Sequence, residues 1–301
     1  MQISVVSDIK ECEKLWKQFL PQRTIWDLWE TVYSFYDSAL YEPYFMVLSD
    51  QKQVKGVLPL WKDFEVNKYF FFGGMFPEDR HFWFDTKLFP LFFEHMPTPI
   101  IIYDINSKCG EEIIKKYPEY EKYFSETDYR YFLNIKQFNQ DINKYLATFN
   151  KKHRKNFLND MKKVDQYKCE LIWEKKENFD TFVSFSVKRF GEESDFSDPQ
   201  FVKEMHSFLS MLEEKKMIYT LTIKINGVVE GIEIAARYNN YYYVLNGSYN
   251  EEYKNLGKLL IFEHIKKAIS MGADEVDFLV GDTGWKQLWN LEREICYTFR
   301  K

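Results

Sequence analysis

A chain of 301 residues is longer than one compact core usually needs, and its net charge of −5 excludes a surface built throughout for nucleic acid. With 45 % hydrophobic and 29 % charged residues it is a globular chain rather than a disordered one. Cys12, Cys109, Cys169 and Cys296 stand far apart, with no Cys-x-x-Cys pair to hold zinc, which implies reduced thiols and a cytoplasmic protein.

The N-terminus has no basic segment leading into an apolar core, so no signal peptide is expected. Residues 8–20, DIKECEKLWKQFL, place Cys12, Leu15, Trp16, Phe19 and Leu20 at helical spacing, and IWDLWETVYSFY predicts a second helix. EPYFMVLSDQKQVKGVLPLWKDF reads as strand, turn, strand, with Gly56 and Pro59 as punctuation. NKYFFFGGMF is an aromatic strand closed by two glycines, and KLFPLFFEHM begins or contains a helix. The apolar window around that helix is broken by Pro90, Glu94, His95, Pro97 and Pro99, short of the ~18–20 uninterrupted residues of a membrane-spanning helix.

The second half repeats this order. MIYTLTIKINGVVEGIEIAARY is again strand, turn, strand; YYYVLNGSYN is again aromatic, and LLIFEHIKKAI is again helical. Val54-Lys55-Gly56 lines up with Val229-Glu230-Gly231, and Phe93-Glu94-His95 with Phe262-Glu263-His264. The fold class expected is therefore α+β, built from a duplicated unit, with domains 1–135 and 136–301. The second opens on a long helix whose apolar stripe is Ile142, Leu146, Phe149, His153, Phe157, Met161 and Val164.

The copies differ between the aromatic strand and its helix. There the second has NEEYKNLGKLL, with Gly257 at the start of the helix, and the first has no such glycine. The first N–H groups of a helix lack internal partners and favour anions, and a glycine lets a diphosphate approach the backbone. Lys254 and Lys258 add charge, while Leu259, Phe262, Ile265 and Ile269 are expected to face the sheet. The same pattern also serves an ordinary glycine turn with solvated lysines. If the stretch binds phosphate, only the second copy does so.

This order resembles the core of GCN5-related N-acyltransferases, whose loop Gln/Arg-x-x-Gly-x-Gly/Ala holds the pyrophosphate of acyl-CoA. Lys254-Asn255-Leu256-Gly257-Lys258-Leu259 keeps the basic first position and central glycine but has Leu259 in place of a small residue. ADEVDFLVGDTGWKQLWN (273–290) resembles the ending of the tandem branch, which includes CelD/BcsL-like acyltransferases and Fem-like aminoacyltransferases. The matching residues are Asp277, Phe278, Gly281, Asp282, Trp285, Lys286 and Trp289. KKHRKNFLNDMKK is similar to the basic helix of that branch and of phosphatidylglycerol lysyltransferases. The resemblance implies two tandem GNAT-like domains, each a mixed, mainly antiparallel sheet flanked by helices. It implies acetyl-CoA or another acyl-CoA as donor, with aminoacyl-tRNA as the alternative. The acceptor would be an amine, a small molecule or a cell-envelope precursor, bound in an interdomain cleft.

Acyl transfer to an amine needs a base, an oxyanion stabiliser and a protonated leaving group. Asp282 and Lys286, four apart, are candidates for base and oxyanion contact, and equally for an i,i+4 ion pair. Glu233 lies on the strand where simpler relatives carry a base; alternation sets it opposite Ile232 and Ile234, facing either water or the reaction. Tyr249 is a further catalytic candidate. Asn246 and Ser248 are candidates to bind the donor, with turn chemistry as their other use. Trp285, Arg189 and Arg154 are substrate-binding candidates. Lys151, Lys152, Arg154, Lys155, Lys162 and Lys163 can meet a tRNA or simply form a solvated face. Nucleotide-loop, nucleophile-elbow and zinc-helix motifs are absent from the sequence, and no metal is expected.

Overall fold

The computed structural model describes residues 1–51, 53–174, 178–282 and 284–301. The chain divides into two compact units, Met1–Arg130 with Glu294–Lys301, and Tyr131–Arg293. Where the sequence reading keeps residues 136–301 together, the last eight residues group with the first unit.

The first unit contains β1 (Gln2–Val6), α1 (Ile9–Phe19), α2 (Trp29–Tyr33), β2 (Tyr41–Asp50) and β3 (Gln53–Asp63). It continues with β4 (Lys68–Phe71), β5 (Trp83–Phe84), α3 (Phe89–His95), β6 (Ile100–Asn106) and α4 (Ser107–Lys116). β7 (Phe124–Asn134) crosses the division at residue 130. The second unit holds α5 (Ile142–Ala147), α6 (Lys151–Asp165), β8 (Glu170–Glu174), α7 (Phe179–Phe190) and α8 (Pro199–Glu214). Then come β9 (Ile218–Ile225), β10 (Val228–Tyr238), β11 (Tyr241–Tyr249), α9 (Leu256–Ser270) and β12 (Glu275–Val280), before β13 (Glu292–Arg300).

Local chemistry sets these ends. Asp8 accepts the N–H groups of Lys10 and Glu11 and so starts α1, which buries Cys12 and Trp16. The long helix expected over 142–164 is two helices. The Asn150 side chain accepts the N–H of His153 at 2.8 Å and restarts the chain as α6. The stripe survives the break: Phe149 meets His153 and Phe157, and Phe157 meets Phe262 of α9 at 5.1 Å between ring centres.

The duplication is visible as topology. In the first unit β2, β3 and β4 are antiparallel and β4 then pairs in parallel with β6. In the second, β9, β10 and β11 are antiparallel and β11 then pairs in parallel with β12. A helix joins each parallel pair, α3 in one and α9 in the other. The mixed, mainly antiparallel sheets expected from the sequence are present in both units.

The copies diverge at one place. β11 continues to Tyr249, opposite Gly231 of β10. β4 stops at Phe71, and Gly56, which aligns with Gly231, is paired instead with Phe84 of β5. A Cβ at Gly56 would lie 2.4 Å from the Phe84 Cβ, whereas one at Gly231 would meet only side-chain atoms, the nearest Leu256 Cδ2 at 3.3 Å. The first unit has thus filled with aromatic chain the strand end that the second keeps.

Overpacking of this kind costs ~1–3 kcal/mol. Gly56→Ala is therefore expected to lower the urea midpoint clearly and Gly231→Ala to lower it less. Equal losses would contradict the divergence of the two strand ends.

Candidate active site

β10 is covered on both faces, so its residues from Glu230 to Ala236 are all buried. Gly231 faces Leu256 and Leu260 of α9, and the ring of Tyr249 lies against Gly257. By alternation Glu233, Gly247 and Tyr249 share the α9 face, and Asn246 and Ser248 take the other, against which α7 packs.

Glu233 is 6 % exposed. Its carboxyl carbon stands 2.6 Å from the point a Cβ on Gly247 would occupy, while Gly247 itself is exposed. Residue 247 must be glycine for the acid to lie there. Burial pushes the carboxyl up to about 8. The choice between water and a buried role is thus resolved towards burial, because α9 covers the face that alternation alone left open.

Two neighbours that the sequence reading passed over complete this layer. The Tyr242 hydroxyl and His264 Nδ1 are 2.8 Å apart, both side chains fully buried. Burial lowers His264 to about 3, so it is neutral, with its ring turned to the backbone of Glu233. The only sequence signal for it was the repeated Phe-Glu-His, since His95 in the first copy is exposed.

β11 and β12 pair in parallel at Tyr241–Tyr243 with Glu275–Asp277, while β11 runs on to Tyr249 and β12 to Val280. Beyond that pairing α9 begins. Asn255, in a left-handed conformation (φ 69°), makes the turn and gives no side-chain cap. Gly257 is the second helical residue, and a Cβ there would be 2.5 Å from the Tyr249 ring. Its glycine is required by that ring, whatever else the turn does. The unsatisfied N–H groups of the first helical turn are suited to an anion.

The face of α9 turned to the core is Leu256, Leu260, Ile261, His264, Ile265 and Ala268. Of the four positions expected from spacing only Ile265 belongs to it. Leu259 and Phe262 are half-buried towards α6. Lys254 is exposed, and Lys258 is ion-paired at 2.6 Å to Asp160 of α6.

Arg189 of α7 stacks over Tyr249 at 4.9 Å and pairs with Glu251 at 2.8 Å, which brings a cation to the strand end. Arg154 is half-buried on α6, and Lys151, Lys152, Lys155, Lys162 and Lys163 are exposed there. Asn246 Oδ1 and Ser248 Oγ are buried without a hydrogen-bond partner among the described residues. They lie on the face away from Gly257, because they alternate with Gly247 and Tyr249.

The loop after β12 behaves differently from the expected acid–base pair. Asp282 Oδ1 accepts the N–H of Gly284 at 2.8 Å and of Lys286 at 3.1 Å. Burial works against its charge, but these N–H groups win and hold the carboxyl below its usual value, which makes it a weak base. The buried Lys286 ammonium donates to the carbonyls of Leu279 (3.0 Å) and Val280 (3.2 Å). It anchors the loop to the strand. Trp285 is half-buried beside Phe278, and Trp289 is core. Among the described residues no cluster of metal-ligating side chains occurs.

Residues 151–287 match the family model described as an acetyltransferase (GNAT) domain. Similar solved structures include FemX (10 % identity, TM-score 0.61, covering 100 % of this chain and 98 % of that one). A conserved protein of unknown function from Bacteroides thetaiotaomicron VPI-5482 is similar at 12 % identity and TM-score 0.64, with both chains covered completely. So is a tandem GNAT protein from the clavulanic acid biosynthesis pathway (10 % identity, TM-score 0.55, covering 99 % and 98 %). No curated protein matches the sequence. The chain has the fold of these tandem structures, and residues 151–287 match the GNAT-domain model.

The folded Glu233 holds its proton more tightly than the unfolded chain does. It therefore favours folding below about 4.5, and that contribution is lost as pH rises to about 8. Glu233→Gln is expected to raise the melting temperature relative to the parent at pH 9 and to gain less at pH 5. An equal difference at both values would contradict a buried, titrating carboxyl.

Proposed function

We propose that this chain is an N-acyltransferase that moves an acyl group from acyl-CoA, held by the second unit, directly to an amine. The observation that carries this reading is Glu233: a buried carboxyl titrating near 8, laid across an exposed glycine on the strand that leads to α9. The uncapped start of α9 fits a pyrophosphate, with Gly257 and Lys258 offering backbone N–H groups and Arg189 a nearby cation.

Acyl-CoA supplies an activated thioester carbonyl. Glu233 takes the proton from the amine as its nitrogen bonds to that carbonyl carbon; the carbon–sulfur bond breaks, and the thiolate leaves to be protonated as the free thiol. A carboxyl near 8 is a stronger base than an ordinary carboxylate, and its basic form grows as pH rises towards 8, which suits general-base work. Asp282, held ionised by backbone N–H groups, supports the loop instead. The acceptor class implied by the tandem resemblance is a small amine or a cell-envelope precursor.

A second reading, aminoacyl transfer from a charged tRNA, is favoured by the exposed lysines of α6 and by Leu259 at the position where simpler relatives have a small residue. A non-catalytic ligand-binding module would use the α9 cradle without Glu233.

Acetyl-CoA at ~100 times its dissociation constant adds about 2.7 kcal/mol of stability. A thermal shift of several degrees is expected in both parent and Glu233→Gln, with turnover on a panel of amines lost by ~10²–10³ in the variant. Binding without turnover in the parent would support the module. A shift with charged tRNA and none with acetyl-CoA would move the donor to the second reading.

A further inference from the structure

The first unit contains a cavity of about 380 Å³, formed by the segment between α1 and α2, the segment around β5 and the start of α4. That volume lies in the range of small-molecule sites and is too small for a whole CoA.

Its lining carries several polar side chains. Arg23, His81 and Lys108 come from three different segments and converge on the same space. The carboxylates nearby are already engaged. Glu112, the acid in the lining, accepts the Thr86 hydroxyl. Asp27, which approaches Arg23 to 3.9 Å, accepts the backbone N–H groups of Arg23 (2.8 Å) and Thr24 (3.1 Å). Asp79, behind Asn106, is pushed by burial towards its neutral form. The Cys109 thiol is raised by burial to about 12 and stays protonated. The lining thus holds two exposed cations, Arg23 and Lys108, beside one exposed carboxylate, Glu112.

The wall is aromatic and fixed. The rings of Phe82 and Phe84 are 5.5 Å apart and stacked, and Phe84 is held from behind by Phe92 at 4.0 Å and 11°. These rings belong to the segment around β5, which pairs with β3 at the point where the second unit keeps its strand end.

We propose that this cavity binds a small organic anion: an aromatic ring against Phe82 and Phe84, carrying one carboxylate or phosphate that Arg23, His81 and Lys108 meet. The inference is independent of the donor site and of the acyltransferase reading.

The test is titration calorimetry of the full chain with benzoate, phenyl phosphate, inorganic phosphate and benzyl alcohol, repeated on Lys108→Glu and Arg23→Glu, both changes at the rim. At least one aryl anion is expected to bind saturably, and each charge reversal is expected to weaken it about tenfold or more, ~1.4 kcal/mol. Whether benzoate or phenyl phosphate binds tighter assigns the headgroup as carboxylate or phosphate, and acetyl-CoA shifts are expected to be unchanged in both variants. Benzyl alcohol binding as well as the anions would overturn the charge recognition. Inorganic phosphate binding as tightly as phenyl phosphate would overturn the aromatic half. Unchanged affinity in both variants, or no saturable binding of either aryl anion by about 5 mM, would overturn the site.

Discussion

In the second unit the carboxyl group of Glu233 lies where any side chain at position 247 would have to be. That single close approach depends on the rest of the layer. β10 and β11 must be in register to set Glu233 opposite Gly247, and α9 must cover the face to desolvate it. Tyr242 and His264 complete the layer beside it without bringing charge, since burial keeps the imidazole neutral. The same strand ends two residues later in Tyr249, whose ring rests on Gly257 and is stacked on by Arg189. Two glycines, each fixed by a neighbour's bulk, thus tie an acid, a strand end and a helix start into one arrangement.

Much of the fold was legible in the sequence, because alternation and helical spacing repeat in the two halves with Gly56 and Gly231 at matching points. What the pattern could not give was coverage. Alternation sets Glu233 opposite Ile232 and Ile234 but does not say what covers that side, so Glu233 was ambiguous until α9 was placed. The buried face of α9 was also misjudged: α6 half-buries Leu259 and Phe262 on a second side, which spreads apolar positions around the helix. Gly257 was legible as important, but the physical demand on it comes from the ring of Tyr249, eight residues earlier and folded back against it, which local spacing does not reveal.

The residues after β12 were ambiguous in another way, open to chemistry and equally to an i,i+4 ion pair. Asp282 and Lys286 look like an acid–base pair because they are charged and four apart. In the fold each is tied to backbone: Asp282 accepts two N–H groups at Oδ1 and Lys286 donates to two carbonyls. Their bonds tie the chain that follows to the end of β12, where Leu279 and, just beyond the strand, Gly281 have positive φ. The two copies of the unit then illustrate divergence by filling. One keeps a long strand end and an uncapped helix, and the other closes the same place with Trp83 and Phe84.

The central claim is that the start of α9, and not another surface, receives the donor. Amide hydrogen exchange on the intact chain with and without acetyl-CoA tests it most directly. If acyl-CoA seats there, exchange slows at Gly257 and Lys258 and along β11 from Asn246 to Tyr249, with the first unit unchanged. Unchanged exchange at Gly257 and Lys258, while acetyl-CoA binds and protects amides elsewhere, would contradict it.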